Sequence, residues 1–440
     1  MIGRWLMVVL GALLVAACGG GSSDGSTTTT TTPALTNFTT VTIDGGPAAL
    51  GTGADGYRAV NIPYVSVTLC APGSTSNCQT IDHVLLDTGS EGLRLLAPVL
   101  NPALLAALPA QQDPQGNPVG ECYTFVDNYV FGSVRQGDFA IGGEKVAGMP
   151  LQVIGDSGAF ASAPASCSAG GGVDMNTVKL LGANGIIGVG LGATDCGSYC
   201  TTAGGSGAAI YYDCPDTGCN TTIARAASTT APFQQLPNPV AAFATDNNGV
   251  ALHLPSVPQG ALSATGTIYF GIATQTNNGL GAASVLPTNK SGMVTALYNG
   301  QSLPNSFLDS GSNYLYFTDN AITACTQSGL TSFYCPSPSL QLSPEIHGYG
   351  TGAASAAFTL YNAVTQFTSS TSLANASGTG STTAYFSALA GVGVNLSSAG
   401  LSSPISNSFD FGLPFFYGRT VFTAITGRKA GAYTGPFYAY

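Results

Sequence analysis

Two short stretches carry the residue types that general acid-base chemistry needs. Val84-Leu85-Leu86-Asp87-Thr88-Gly89-Ser90 recurs as Ser306-Phe307-Leu308-Asp309-Ser310-Gly311-Ser312. Each is an apolar run that delivers an aspartate into a hydroxyl-glycine-serine turn. One copy alone reads as a strand ending in a polar turn, because Asp, Gly and Ser are the commonest turn formers. Two copies require more explanation. If the fold brings the carboxyls together, like charges a few ångströms apart cannot both ionise cheaply, so the pair keeps one proton and sets a base beside an acid.

The elements that must position the two aspartates also repeat. Ala183-Asn184-Gly185-Ile186-Ile187-Gly188-Val189-Gly190 follows Asp87 at nearly the distance at which Phe411-Gly412 follows Asp309. An apolar-apolar-glycine unit after each aspartate implies two homologous halves. In this the chain resembles the pepsin-like aspartic peptidases, whose lobes each carry an Asp-Thr/Ser-Gly loop with a hydrophobic-hydrophobic-Gly segment crossing beneath it. The resemblance runs from about Asn61 to about Thr426 and implies a mostly β, bilobal acid-protease fold with a cleft between two homologous β lobes.

By that resemblance Asp87 and Asp309 are the catalytic pair. The ionised member deprotonates a water while its protonated partner bonds the peptide carbonyl, without a covalent intermediate. Thr88 and Ser310 lock the loops together, Ser90 and Ser312 hold each carboxylate in plane, and Gly89 and Gly311 permit the tight turn. Cys122 to Phe131 alternates around Asp127-Asn128 as a hairpin in the place of the family's flap, with Tyr129 preferred over Phe125 as the flap aromatic. Gly266 to Gly271 resembles the strand closing the first lobe, and Phe409 to Phe416 with Val421-Phe422 the final hairpin of the second.

Departures from the pattern accompany it. After the first motif the family's flap-supporting aromatic is missing, and Glu91-Gly92-Leu93-Arg94-Leu95 stands instead. Charges so near the pair alter its titration, so an acidic optimum does not carry over. Residues 36 to 60 contain only Arg58 as a cation, unlike a basic pro-segment, so acid-triggered activation is not expected. With these features the whole chain resembles a bacterial lipoprotein family of unknown function that shares the pepsin-like pattern.

Its N-terminus reads as an address. Arg4, the apolar stretch Trp5 to Ala17 and the small residues before Cys18 resemble a lipoprotein signal, with Val15-Ala16-Ala17-Cys18 as the lipobox. The expected organisation is a signal over 1–18 ending at lipidated Cys18, a Gly/Ser/Thr tether over 19–36, an N-terminal lobe over 37–273 and a C-terminal lobe over 274–440. Gly19, where an inner-membrane retention Asp would stand, favours the outer membrane, and no later run is long and apolar enough to form a transmembrane helix. The expected partners are the lipid bilayer through Cys18 and a polypeptide in the cleft, for a monomer that needs no cofactor.

Composition agrees with an exported β protein. The 440 residues include 59 Gly, and only 7% are charged, which is poor in strong helix formers. A net charge of −10 repels phosphate backbones and excludes a nucleic-acid binder. Of 11 Cys, removing Cys18 leaves an even set that fits disulfides, with Cys70 and Cys78 bridging a hairpin. Metal binding is not expected, because no His lies near Cys196, Cys200, Cys214 or Cys219.

Other motifs read as structure. Gly155-Asp156-Ser157-Gly158 lacks the flanks of a serine nucleophile loop, Gly188 to Gly192 lacks a dinucleotide-binding context, and Asp246-Asn247-Asn248-Gly249 is a hairpin turn rather than a calcium loop. The surviving function classes are a tethered aspartic endopeptidase, a pepsin-fold binding protein without turnover and an adhesive surface lipoprotein, the last suggested by the Ser/Thr/Gly-rich stretch from Thr365 to Thr383.

Overall fold

In the computed structural model, residues 36–50, 59–204, 208–229, 233–256, 263–365, 393–395 and 407–440 are described. Cys18 and the tether up to residue 35 lie outside them, as does most of the Ser/Thr-rich stretch after Thr365. The described chain is mostly β, as the composition implies. Fifteen strands form one large sheet, and seven strands from the C-terminal half form a second. No described helix is long and apolar enough to cross a membrane.

The duplication read from the sequence is built into the strand pairing. Strand Cys78–Asp87 runs parallel to Gly185–Val189, with Asp87 opposite Gly188, and Glu91–Leu96 returns antiparallel against the same strand, with Gly92 opposite Gly188. In the second half Gln301–Leu308 runs parallel to Asp410–Phe411, and Leu315–Phe317 returns antiparallel with Leu315 opposite Phe411. Each aspartate thus leaves a central strand at the edge of a loop that lies over a glycine. A Cβ on Gly188 would stand 2.6 Å from the Glu91 nitrogen, and one on Gly412 would stand 2.0 Å from the Tyr314 carbonyl oxygen. Only glycine allows that crossing. The central strands read Val-Leu-Leu and Phe-Leu because both of their faces are covered.

Further pairings join the halves. Strand Phe38–Ile43 pairs with Ala264–Phe270, which pairs with Gly249–Leu254, and that strand pairs with Arg419–Ala424 near the C-terminus. One continuous core contains Leu86, Ile187, Phe270, Leu308, Phe411 and Val421. Two stretches differ from their expected form. Phe409 to Phe416 and Val421-Phe422 do not make a hairpin, because the short helix Leu413–Phe416, with Pro414 in its first turn, turns the chain between strands that have different partners. Asp246 to Gly249 is a turn after the single helical turn Val240–Ala242 rather than a hairpin, and the Asn248 amide fastens it to the Ile272 and Lys429 carbonyls.

All ten cysteines of the folded region are paired: Cys70–Cys78, Cys122–Cys167, Cys196–Cys200, Cys214–Cys219 and Cys325–Cys335. Cys70 and Cys78 face one another across the predicted hairpin.

Candidate active site

The two aspartate loops meet. Thr88 N–H donates to Ser310 Oγ at 3.1 Å and Ser310 N–H donates to Thr88 Oγ1 at 2.9 Å, a reciprocal pair that joins the loops at a buried point. Ser310 Oγ donates onward to the Leu86 carbonyl at 2.7 Å. Each aspartate is then held alike. Asp87 accepts from Gly89 N–H at 2.7 Å and from Ser90 Oγ, while Asp309 accepts from Gly311 N–H at 2.7 Å and from Ser312 Oγ at 2.9 Å. The glycines fix the carboxyls' separation. A Cβ on Gly89 would stand 2.6 Å from Asp309 Cγ, and one on Gly311 would stand 2.6 Å from Asp87 Oδ1, so each carboxyl rests against the opposite loop's glycine.

The electrostatics follow from that closeness. Burial first, then the charges of Asp87 and Asp410 and a hydrogen bond with Asp87, hold the Asp309 carboxyl well above the usual carboxylate range. The pair therefore keeps a proton at pH values where an isolated carboxyl has lost it. Gly89 is solvent-exposed and Gly311 half-buried, so the pair lies at the rim of a surface rather than in a sealed interior.

Sequence reasoning missed Asp410. It lies in strand Asp410–Phe411, opposite Phe307, and its Oδ2 is 2.6 Å from Ser312 Oγ. Phe409 and Phe411 stack at 4.2 Å and enter the core, so the alternation of a strand turns Asp410 the other way, towards the site. Burial pushes Asp410 up to about 8, with the Ser312 hydrogen bond opposing and the Asp87 charge assisting. A lone carboxyl between two phenylalanines of an apolar strand was the signal.

Glu91 joins the group from the first loop. Its Oε1 accepts from Gly192 N–H at 2.7 Å, and burial, reinforced by the Asp87 charge, pushes it up to about 7. The Gly188 to Gly192 run is the close-packed seat of Glu91, since a Cβ on Gly190 or Gly192 would stand within 2.9 Å of Oε1.

The hairpin in the flap position forms as read, with Cys122 opposite Phe131 and Phe125 N–H donating to the Asn128 carbonyl. Its site-facing aromatic is Tyr123, not Tyr129. Thr124 pairs with Tyr129, so period two places Tyr129 on the face of Cys122 and Phe131, where it packs against the disulfide cluster and feels Asp174. Tyr123 occupies the other face, and its phenol feels the charges of Glu91 and Asp87. The support of this hairpin is ionic. Arg94 stacks on the Tyr123 ring at 3.9 Å and meets Glu121 at 2.6 Å and Asp195 at 3.2 Å, all three side chains fully buried, and burial together with Glu121 holds the Asp195 carboxyl well above the usual range. Tyr211 Oη donates to Asp195 at 2.8 Å. Arg94 thereby ties the first aspartate's returning strand to hairpin strand Val119–Thr124, where the resemblance led one to look for an aromatic.

The motifs read as structural keep that role. Asp156 is bound by Arg135 at 2.6 Å and by Ser133 Oγ at 2.6 Å. His253 meets Thr420, and His347 meets Glu345. Among the described residues no cluster of His, Cys, Asp and Glu could hold a metal ion.

One protein-family model, described as a protein of unknown function (DUF3443), matches residues 33–440. The chain belongs to the DUF3443 family. No curated protein matches it. In this DUF3443 chain the match spans both aspartate loops, the flap-position hairpin, Arg94 and Asp410.

Proposed function

We propose that this chain is an aspartic endopeptidase of pepsin-like, bilobal build, exported and tethered to the envelope, in the outer membrane, through lipidated Cys18. The observation that carries the reading is the reciprocal Thr88–Ser310 hydrogen bonding, which sets Asp87 and Asp309 against one another's glycines. A binding module gains nothing from two adjacent buried carboxyls, each of which costs free energy to desolvate.

The chemistry follows from the proton's place. Asp309 holds the proton and donates to the oxygen of the scissile carbonyl. Asp87 accepts a proton from the attacking water, whose oxygen bonds to the carbonyl carbon, and the tetrahedral adduct collapses with cleavage of the C–N bond as Asp87 passes that proton to the leaving nitrogen and Asp309 recovers its own from the adduct's hydroxyl. Tyr123 and the hairpin beyond it cover one side of this position, and the substrate is an extended polypeptide.

The test is hydrolysis of a peptide library by the full chain in detergent, across acidic to alkaline pH, beside Asp87→Asn, Asp309→Asn and the double variant. Cleavage lost in each single variant, with little further loss in the double, supports the pair acting as a unit. Cleavage persisting in both singles sinks it. No cleavage by wild type at any pH, with a pepstatin-type analogue still bound, transfers the reading to a binding protein without turnover.

A further inference from the structure

Ser312 has one hydroxyl hydrogen and two carboxyl neighbours. Its Oγ lies 2.9 Å from Asp309 Oδ2 and 2.6 Å from Asp410 Oδ2. A serine hydroxyl donates once and accepts through its lone pairs, so both contacts are hydrogen bonds only if one carboxyl supplies a hydrogen. Asp309 has the Gly311 N–H on its Oδ1, which leaves Oδ2 to accept from Ser312 whichever member of the pair holds the shared proton. Asp410 is then the donor. Its surroundings agree, because the side chain is nearly fully buried and its Oδ1 has no hydrogen-bond partner among the described residues. The groups facing it are the carboxyls of Asp87 and Asp309 and the phenols of Tyr316 and Tyr438, none of them a cation. An ionised carboxylate there would keep one oxygen unsolvated and repel two neighbours.

We propose that Asp410 is a third carboxyl of the site, kept protonated, which donates to Ser312 Oγ and so compels that hydroxyl to donate to Asp309. It is a positioning residue, and its bearing on catalysis rests on the peptidase reading above. The consequence is an upper pH limit. When Asp410 releases its proton to solvent, Ser312 turns its hydrogen to the new carboxylate. Asp309 loses a donor and gains a negative neighbour, and the one-proton state of the pair is disturbed. An asparagine at 410 keeps a donor towards Ser312 at every pH.

The experiment uses the full chain in detergent and reads the infrared band of protonated carboxylic acids. At about pH 6, well below the ionisation of a carboxyl titrating near 8, Asp410→Asn should lack one carboxylic acid that wild type shows. The wild-type band should also bleach as the pH passes about 8. An unchanged band in Asp410→Asn overturns the proposal, and so does a wild-type band that does not bleach, which needs no variant to fold. Neither readout depends on turnover, so absence of peptide cleavage counts against the peptidase and leaves the proton's place to be decided by the spectrum. Where wild type cleaves, the ratio of Asp410→Asn to wild-type kcat/KM should rise about tenfold between pH 6 and 9, since one pH unit above a pKa is one decade. A flat ratio overturns the upper limit.

Discussion

Gly311→Ala puts the geometry of the aspartate pair under direct strain. The new Cβ would stand 2.6 Å from Asp87 Oδ1 and 2.7 Å from Asp87 Cγ, whereas ordinary contact begins at 3.4 Å. The Asp87 carboxyl, or the loop that bears the methyl, must yield by about 0.8 Å, the shortfall against an ordinary carbon-oxygen contact. Neither moves freely, because Ser90 and the Gly89 N–H clamp Asp87 and the Thr88–Ser310 pair clamps the loops. A misplacement of that order costs about 10²-fold in rate. Stability should fall less, by about 1–3 kcal/mol for the overpacking. Of this, about 0.4–1 kcal/mol is offset by the stiffer unfolded chain, since Gly311 has an ordinary backbone conformation. Gly89→Ala should behave alike against Asp309, and Gly279→Ala, with no atom within 4 Å of its Cβ, is the control. The measurements are kcat/KM on a cleaved peptide and thermal melts of all three variants. Folded Gly311→Ala and Gly89→Ala proteins that cleave within about twofold of wild type would refute the placement of the carboxyls, because misplacement should cost far more than that.

Thr88→Val and Ser310→Ala each orphan one buried N–H, so each should cost about 1–3 kcal/mol in denaturant unfolding, and the double variant less than the sum because one junction is lost. Arg94→Met leaves Glu121 and Asp195 buried without their cation, and a loss of about 3–5 kcal/mol is expected, which Arg94→Lys should only partly restore because a compact ammonium cannot reproduce the fork. Glu91 has a folded pKa raised to about 7, so its favourable contribution is complete below the unfolded value and is lost as pH rises through about 7. Glu91→Gln should therefore match wild-type Tm near pH 4 and exceed it progressively up to about pH 7, and a gap independent of pH would contradict this. Cys18→Ser should move the chain from the detergent phase to the aqueous phase, and continued detergent partitioning would exclude the lipid anchor.

How much of this was legible in the sequence depends on the range of the interaction concerned. The aspartate loops, their glycine partners and the Cys70–Cys78 hairpin were readable because each is a local pattern set by turn chemistry and strand period, and the repeat doubled the signal. The flap aromatic was misread because register was not fixed by the sequence alone. Once Thr124 is opposite Tyr129, period two sends Tyr123 towards Asp87 and Tyr129 away, and a one-residue slip would have exchanged them. Asp195 and Glu121 were invisible for another reason. They meet Arg94 across a sequence distance that no local pattern encodes, and only the folded strands bring the three together.

Asp410 shows what lies between these cases. Its segment was recognised as the counterpart of Gly185–Val189 through Phe411 and Gly412, yet the residue itself was passed over as part of an apolar run. The first half has Ile186 where the pairing register puts its counterpart, opposite Leu85, and that side chain is buried among apolar neighbours. The duplicated frame is thus symmetric in backbone and asymmetric in charge. One half contributes an aspartate with Glu91 nearby, and the other contributes an aspartate with Asp410 behind its serine. A symmetric pair of carboxyls has no reason to place the shared proton on one member rather than the other. Burial supplies one, as the largest influence holding the Asp309 carboxyl above the usual range, while a neutral Asp410 acts on the second half by aiming the Ser312 hydroxyl at Asp309.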